Sequence, residues 1–162
     1  MTVTPPQQTT GAPSRPVHNR ANLLPGPAAV LDHVSRSLTA AGEATHTLIL
    51  VALLRPQQAS PLPASTMSTV TAAVTRSIRA DDWVGRSGIG DLAVIIRGTI
   101  SAGETMADRL VRIIDELSLS GVTACAAVIG LDPGLDARTA MAKATANLRT
   151  ARAVCSPPVV TR

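Results

Sequence analysis

RADDWVGRSGIGDLAVIIR, from Arg79 to Arg97, decides how the rest of this chain is read. It opens on a charged helix end, and a short strand follows in which Val84 and Arg86 alternate before the turn. The tip Gly88-Ile89-Gly90 admits positive φ, and Ala93 to Ile96 follow as an apolar run rich in β-branched residues. Two runs of strand type joined by a glycine-bearing turn predict a β-hairpin. By local pattern alone it is an ordinary hairpin.

Outward from it, helices and strands alternate. Val30, Leu31, Val34 and Leu38 recur at helical spacing between Pro27 and Ala41, with Gly42 as the stop. Thr47 to Leu54 (TLILVALL) is uncharged and of strand length, as a central strand buried on both faces should be. Pro56, Pro61 and Pro63 make Arg55 to Pro63 a loop. Ser65 is the expected N-cap of a helix to Arg79 that buries Met67, Val70, Val74 and Ile78.

Beyond the hairpin, Ser101-Ala-Gly-Glu104 fits a capping box for a helix with Met106, Leu110, Ile113, Ile114 and Leu117 inside, ended by Gly121. Val122 to Ile129 is a strand, and Asp136 caps a last helix to about Val154 that turns Ala140, Ala144, Leu148 and Ala151 inward. This order predicts an α/β fold, a mixed central sheet with covering helices reached by right-handed crossovers. One domain spans 18–155, after a Pro/Thr/Gln-rich tail at 1–17 expected to be disordered and before a short tail at 156–162.

With 162 residues, 45% of them apolar, the chain is long enough for one core and too short for two. It has one Trp, no Phe and no Tyr, so the aromatic platforms that stack single-stranded bases are missing. The formal charge of +4 rests on scattered arginines and the one lysine, Lys143, with no basic block, which argues against a nucleic-acid track. Cys125 and Cys155 are too few for a disulfide framework, no apolar signal segment precedes the domain, and the longest apolar run falls far short of a membrane span. The expectation is a cytoplasmic protein that does not enter a membrane. His33 and His46 have no Cys, Asp or Glu at ligand spacing, so neither a metal nor another cofactor is expected.

With the elements in this order, Arg79 to Ile96 resembles the signature region of the GGDEF domain, the bacterial diguanylate cyclase fold. Arg79-Ala-Asp-Asp82 stands at the family's R-x-x-D, and after five residues Gly88-Ile89-Gly90-Asp91-Leu92 stands at GGDEF. His18-Asn19-Arg20 is similar to the family's P-N-R, Val122-Thr-Ala-Cys125 to its V-T-A-S strand, and Ala144 to Arg152 to its A-D-x-A-L-Y-x-A-K helix. The likeness runs from about His18 to Arg152 and implies a cyclase-like sheet with a ferredoxin-like core.

The resemblance also implies loss of activity. The family's two metal-holding acids fall on Ala52 and Gly90, and neither side chain offers the hard oxygen that magnesium requires. The family's F-K aligns with Pro56-Gln57, and its guanine-reading pairs fall in a shortened proline-rich loop. Asp91 keeps an acid and Arg152 a cation where the family has them.

What remains is the family's inhibitory product site, R-x-x-D plus an arginine on the next helix, here Arg79, Asp82 and Arg109 of Ala107-Asp108-Arg109. A guanidinium fork matches guanine O6 and N7 or phosphate oxygens, and a carboxylate accepts from guanine N1–H and N2–H. Each residue also has a plain structural role: Arg79 near a helix end, Asp82 as a turn cap, Arg109 as a solvated helix residue. Arg86 is expected to be structural or a phosphate-facing accessory.

The leading expectation is an inactive receptor or effector of cyclic di-GMP that signals to an unidentified protein partner. A scaffold for protein–protein contact with no nucleotide is the alternative. An active cyclase is disfavoured by Ala52 and Gly90, and dimerisation is left open.

Overall fold

The structure, a computed structural model, describes residues 24–42, 44–55 and 62–155. The two expected tails, His18-Asn19-Arg20 and Pro56-Gln57 lie outside the described residues. The elements run α1 (Pro27–Thr39, continued by a 3₁₀ turn Ala40–Gly42), β1 (His46–Leu54), α2 (Ala64–Ser77), β2 (Trp83–Gly88), β3 (Asp91–Arg97), α3 (Ile100–Glu116), β4 (Thr123–Gly130) and α4 (Ala137–Cys155). Every helix and strand expected from the periodicity is present.

The four strands lie in the order β2-β3-β1-β4. Each neighbouring pair is antiparallel, which corrects the mixed sheet expected from the sequence. The crossovers β1-α2-β2 and β3-α3-β4 do join parallel strands, but in each case another strand lies between them. This split arrangement is the ferredoxin-like core.

β1 holds the fold together because it is uncharged and buried from Thr47 to Leu53. Its residues alternate between faces, as strand geometry requires. Leu48, Leu50 and Ala52 join Val30 and Val34 of α1 and Ala140, Ala144 and Leu148 of α4. Ile49, Val51 and Leu53 join Val70 and Val74 of α2 and Leu110 and Ile114 of α3. Full burial of each large aliphatic chain contributes about 1.5–3 kcal/mol.

The helix starts differ in detail from expectation. α2 begins at Ala64 after Pro63 with no side-chain cap, so Ser65 is already inside the helix. α3 is capped by Thr99, whose Oγ1 accepts from the Ala102 N–H at 3.3 Å, in place of the capping box expected at Ser101. β3 ends at Arg97, and the turn through Gly98 brings Thr99 to the cap first. Asp136 does cap α4, accepting from the Thr139 N–H at 3.0 Å and from its hydroxyl, and these bonds hold its carboxyl below the usual range.

The hairpin is anchored on its open side. The Arg86 N–H donates to the Pro25 carbonyl at 2.7 Å, so the chain entering α1 covers part of the β2 edge. His33 of α1 stacks on Trp83 with ring centroids 4.5 Å apart and planes 11° apart. Burial there, then the charge of Arg36, lower the His33 pKa.

Gly103 marks a close approach of α3 to the sheet. A β-carbon there would sit 2.4 Å from Thr47 Cγ2 and 2.9 Å from Val128 Cγ1. In an open helix Gly→Ala gains about 1 kcal/mol; here overpacking, typically about 1–3 kcal/mol, opposes it. Gly103→Ala should therefore lower stability in urea unfolding, and an unchanged or raised midpoint would show that α3 stands farther from the sheet.

Candidate functional site

The tip of the hairpin is built from the motif residues themselves. Gly88 pairs with Asp91 across the turn, with a bulge between Arg86 and Gly88. Ile89 is 90% exposed, and Leu92 is fully buried in the core. Of the three tip residues only Gly90 takes positive φ, at 77°, and its carbonyl accepts from the Leu53 N–H at 3.1 Å. That bond sets the two positions expected to lack metal ligands side by side, Gly90 at the turn and Ala52 near the end of β1. A β-carbon at Gly90 would meet Leu62 at 3.1 Å, in a backbone conformation that L side chains rarely adopt. No group of three or more His, Cys, Asp or Glu that could hold a metal occurs among the described residues.

Ala52 is the middle of a row that crosses the sheet. It lies opposite Asp91 of β3 on one side and Cys125 of β4 on the other. Over this row runs the last part of α4, and Arg152 donates through Nη2 to Asp91 Oδ1. The acid and the cation noted separately in the sequence thus form one ion pair, joined across 61 positions. Burial pushes the Asp91 carboxyl above its ordinary value, and Arg152 opposes that shift by charge and hydrogen bonding. A cavity of about 200 Å³ beside the pair is lined by Ser87, Asp91, Thr145, Arg149 and Arg152.

The shoulder of the hairpin is a separate place. α2 stops at Ser77 and Ile78 is extended, so Arg79 stands beyond the helix and is exposed. Its backbone N–H donates to Asp82 Oδ2 at 2.8 Å, and its carbonyl accepts from the Asp82 N–H at 3.2 Å. The R-x-x-D segment is therefore a turn closed by its own acid. An ionised carboxylate has acceptor sites on both oxygens, so this bond leaves capacity for another donor.

Arg109 lies on α3 with Asp108, both exposed, opposite the buried stripe of Gly103, Ala107, Leu110 and Ile114. α2 packs against α3, so the turn of Arg79 and Asp82 follows the helix that neighbours the one bearing Arg109. Among the described residues no hydrogen bond or ion pair joins Arg109 to the turn. Arg86 is exposed, and its backbone serves the β2 edge.

The sequence reading missed the meeting of Asp91 with Arg152 and the stack of His33 on Trp83. Nothing local signals either contact. No helix among the described residues is long and apolar enough to cross a membrane.

The Asp91–Arg152 pair yields a signed expectation. The folded-state pKa of Asp91 is raised, so between the unfolded value and the folded one the native state holds an extra proton, and stability falls as pH rises through that window. Arg152→Met removes the opposing attraction and should raise the Asp91 pKa further, widening the window. Carboxyl NMR titration of both proteins would test this, and a downward or absent shift in the variant would refute the pairing.

Comparison with known proteins is consistent with this architecture. No protein-family profile matches the chain, and no curated protein does. Among solved structures, it is similar to the GGDEF domain of TpbB (YfiN) from Pseudomonas aeruginosa at TM-score 0.70 and 15% identity, covering 84% of this chain and 88% of that one. It is similar to the GGDEF domain of DgcB from Caulobacter crescentus in complex with c-di-GMP, at TM-score 0.67 and 17% identity over 82% of this chain and 88% of that one. A third is the diguanylate cyclase SiaD in complex with its activator SiaC from P. aeruginosa, at TM-score 0.71 and 15% identity, over 83% of this chain and 57% of that one. The chain has the fold of a GGDEF domain over most of its length.

Proposed function

We propose that this domain is a catalytically inactive receptor for cyclic di-GMP, held by Arg79, Asp82 and Arg109. The observation that carries the reading is the closed Arg79–Asp82 turn, which leaves the Arg79 side chain in solvent and fixes a carboxylate beside it. Two guanidinium forks and one acceptor suit a ligand with two guanines and two phosphates. The likeness to a GGDEF domain solved with c-di-GMP supports the choice of ligand.

Inactivity is supported by chemistry at the tip. Two-metal phosphoryl transfer needs oxygen ligands that bridge both ions, and the charge that develops on the moving phosphoryl is otherwise uncompensated. A methyl group at Ala52 and a hydrogen at Gly90 supply none, and the φ of Gly90 disfavours any side chain there. Asp91, the remaining acid, is engaged by Arg152.

A second reading, a scaffold for a protein partner with no nucleotide, is favoured by the structural employment of Asp82 on the Arg79 backbone. The SiaD–SiaC complex gives a precedent in this fold for association with another protein.

Thermal melting separates the two readings. Cyclic di-GMP at 100 times its dissociation constant adds about 2.7 kcal/mol, a rise of several degrees for a domain of this size. Arg79→Ala and Arg109→Ala should each weaken binding by about 10- to 100-fold, as loss of a charge-assisted hydrogen bond does. Asp82→Asn keeps an acceptor for the turn and removes the charge, so it should retain the fold and lose affinity. No rise at saturating ligand would leave the scaffold. Incubation with GTP and magnesium should yield no cyclic di-GMP, and its accumulation would overturn the claim of inactivity.

A further inference from the structure

The chain has two cysteines, and the fold brings both to one place. Cys125 lies on β4, 3% exposed, on the face covered by α1 and α4. Cys155 is the last residue of α4 and is exposed. Both are free thiols, and both line a groove of about 680 Å³ along the outer strand of the sheet, together with Val111, Val128 and Ala151. Burial first, and the neighbouring Cys155 thiol second, push the Cys125 thiol up to about 11. Cys125 is thus a protonated, shielded thiol with a solvent-facing thiol beside it.

The geometry points to a modification site: Cys125 and Cys155 form a reversible intramolecular disulfide when a low-molecular-weight disulfide such as oxidised glutathione enters the groove. Cys155 meets the oxidant because it is the exposed member. Its thiolate attacks one sulfur of glutathione disulfide, the S–S bond breaks, and the first glutathione leaves as a thiolate that takes up the Cys155 proton from water. The mixed disulfide on Cys155 then faces Cys125. Cys125 reacts through the small fraction of its thiol that has lost its proton to water. This thiolate attacks the Cys155 sulfur, the bond from Cys155 to glutathione breaks, and the second glutathione leaves as a thiolate that takes up a proton. The raised Cys125 pKa makes this the slow step. One protein disulfide forms, one glutathione disulfide is reduced to two thiols, and the two electrons come from the protein sulfurs.

Position gives the bond its reach. Cys125 lies opposite Ala52, and Ala52 lies opposite Asp91. Cys155 stands one helical turn beyond Arg152, which holds Asp91. Closing the disulfide fixes the last turn of α4 over this row, so the redox state of the groove governs how freely Arg152 can leave Asp91. This inference stands independently of nucleotide binding.

The test treats the full chain with oxidised glutathione, traps free thiols with N-ethylmaleimide in denaturant, and reads intact and peptide masses. The expected result is a chain lighter by two hydrogens, with no alkylated cysteine, with the peptides bearing Cys125 and Cys155 joined, and fully reversed by dithiothreitol. Because the bond closes a loop of roughly 30 residues, the melting midpoint should rise by several degrees. Cys125→Ser should stop at glutathione on Cys155, and Cys155→Ser should stay reduced. Glutathione retained on Cys155 of the unmodified sequence, or a chain-to-chain disulfide, with Cys125 fully alkylated, would overturn the site. An Asp91 carboxyl titration identical in reduced and oxidised protein would overturn the link to Arg152.

Discussion

The two-sided burial of β1 is the constraint from which the remaining geometry follows. Leu48, Leu50 and Ala52 face one core and Ile49, Val51 and Leu53 the other, so a slip of one residue would exchange the two sets. Such a slip would set each group of side chains against the helix pair that packs the other. Pairing with β3 on one edge and β4 on the other fixes the register of both neighbours. The row Asp91–Ala52–Cys125 is a product of that register. None of the three is near another in sequence, and each is where it is because β1 allows one alignment.

Most of the architecture was legible because the chain has few ambiguous segments. TLILVALL can only be a buried strand or a short buried helix, and the proline-bearing loop after it favours the strand. The helices are readable from apolar residues at intervals of three and four, Val, Leu, Ile and Met in the first three and mainly Ala in the last, without aromatic residues to blur the stripe. The sheet was harder. Crossover connections announce parallel strands, but nothing local says that a third strand will slot between them. Caps were misplaced for a related reason: Thr99 and Ser101 both carry a hydroxyl, and the end of β3 decides between them.

The candidate site is legible in the sequence where its contacts are local and not where they are distant. Asp82 and Arg79 are three residues apart, so their turn is a local matter that sequence can anticipate. Asp91 and Arg152 are far apart, and only the packing of α4 over the sheet brings them together. The hairpin consequently serves two layers at once. Its tip faces α4 through Asp91, while its shoulder continues from α2, the helix packed against α3. A ligand at the shoulder and a change at the tip would act on the same pair of strands from different sides.

The stack of His33 on Trp83 has an optical consequence. Trp83 is the chain's one tryptophan, and tyrosine is absent, so the intrinsic ultraviolet emission of this protein originates from a single indole. That indole is adjacent in sequence to Asp82, four positions from Arg79, and in face-to-face contact with α1. Its fluorescence is therefore a site-specific, label-free gauge of the junction between α1 and the shoulder of the hairpin, reporting there and nowhere else in the molecule.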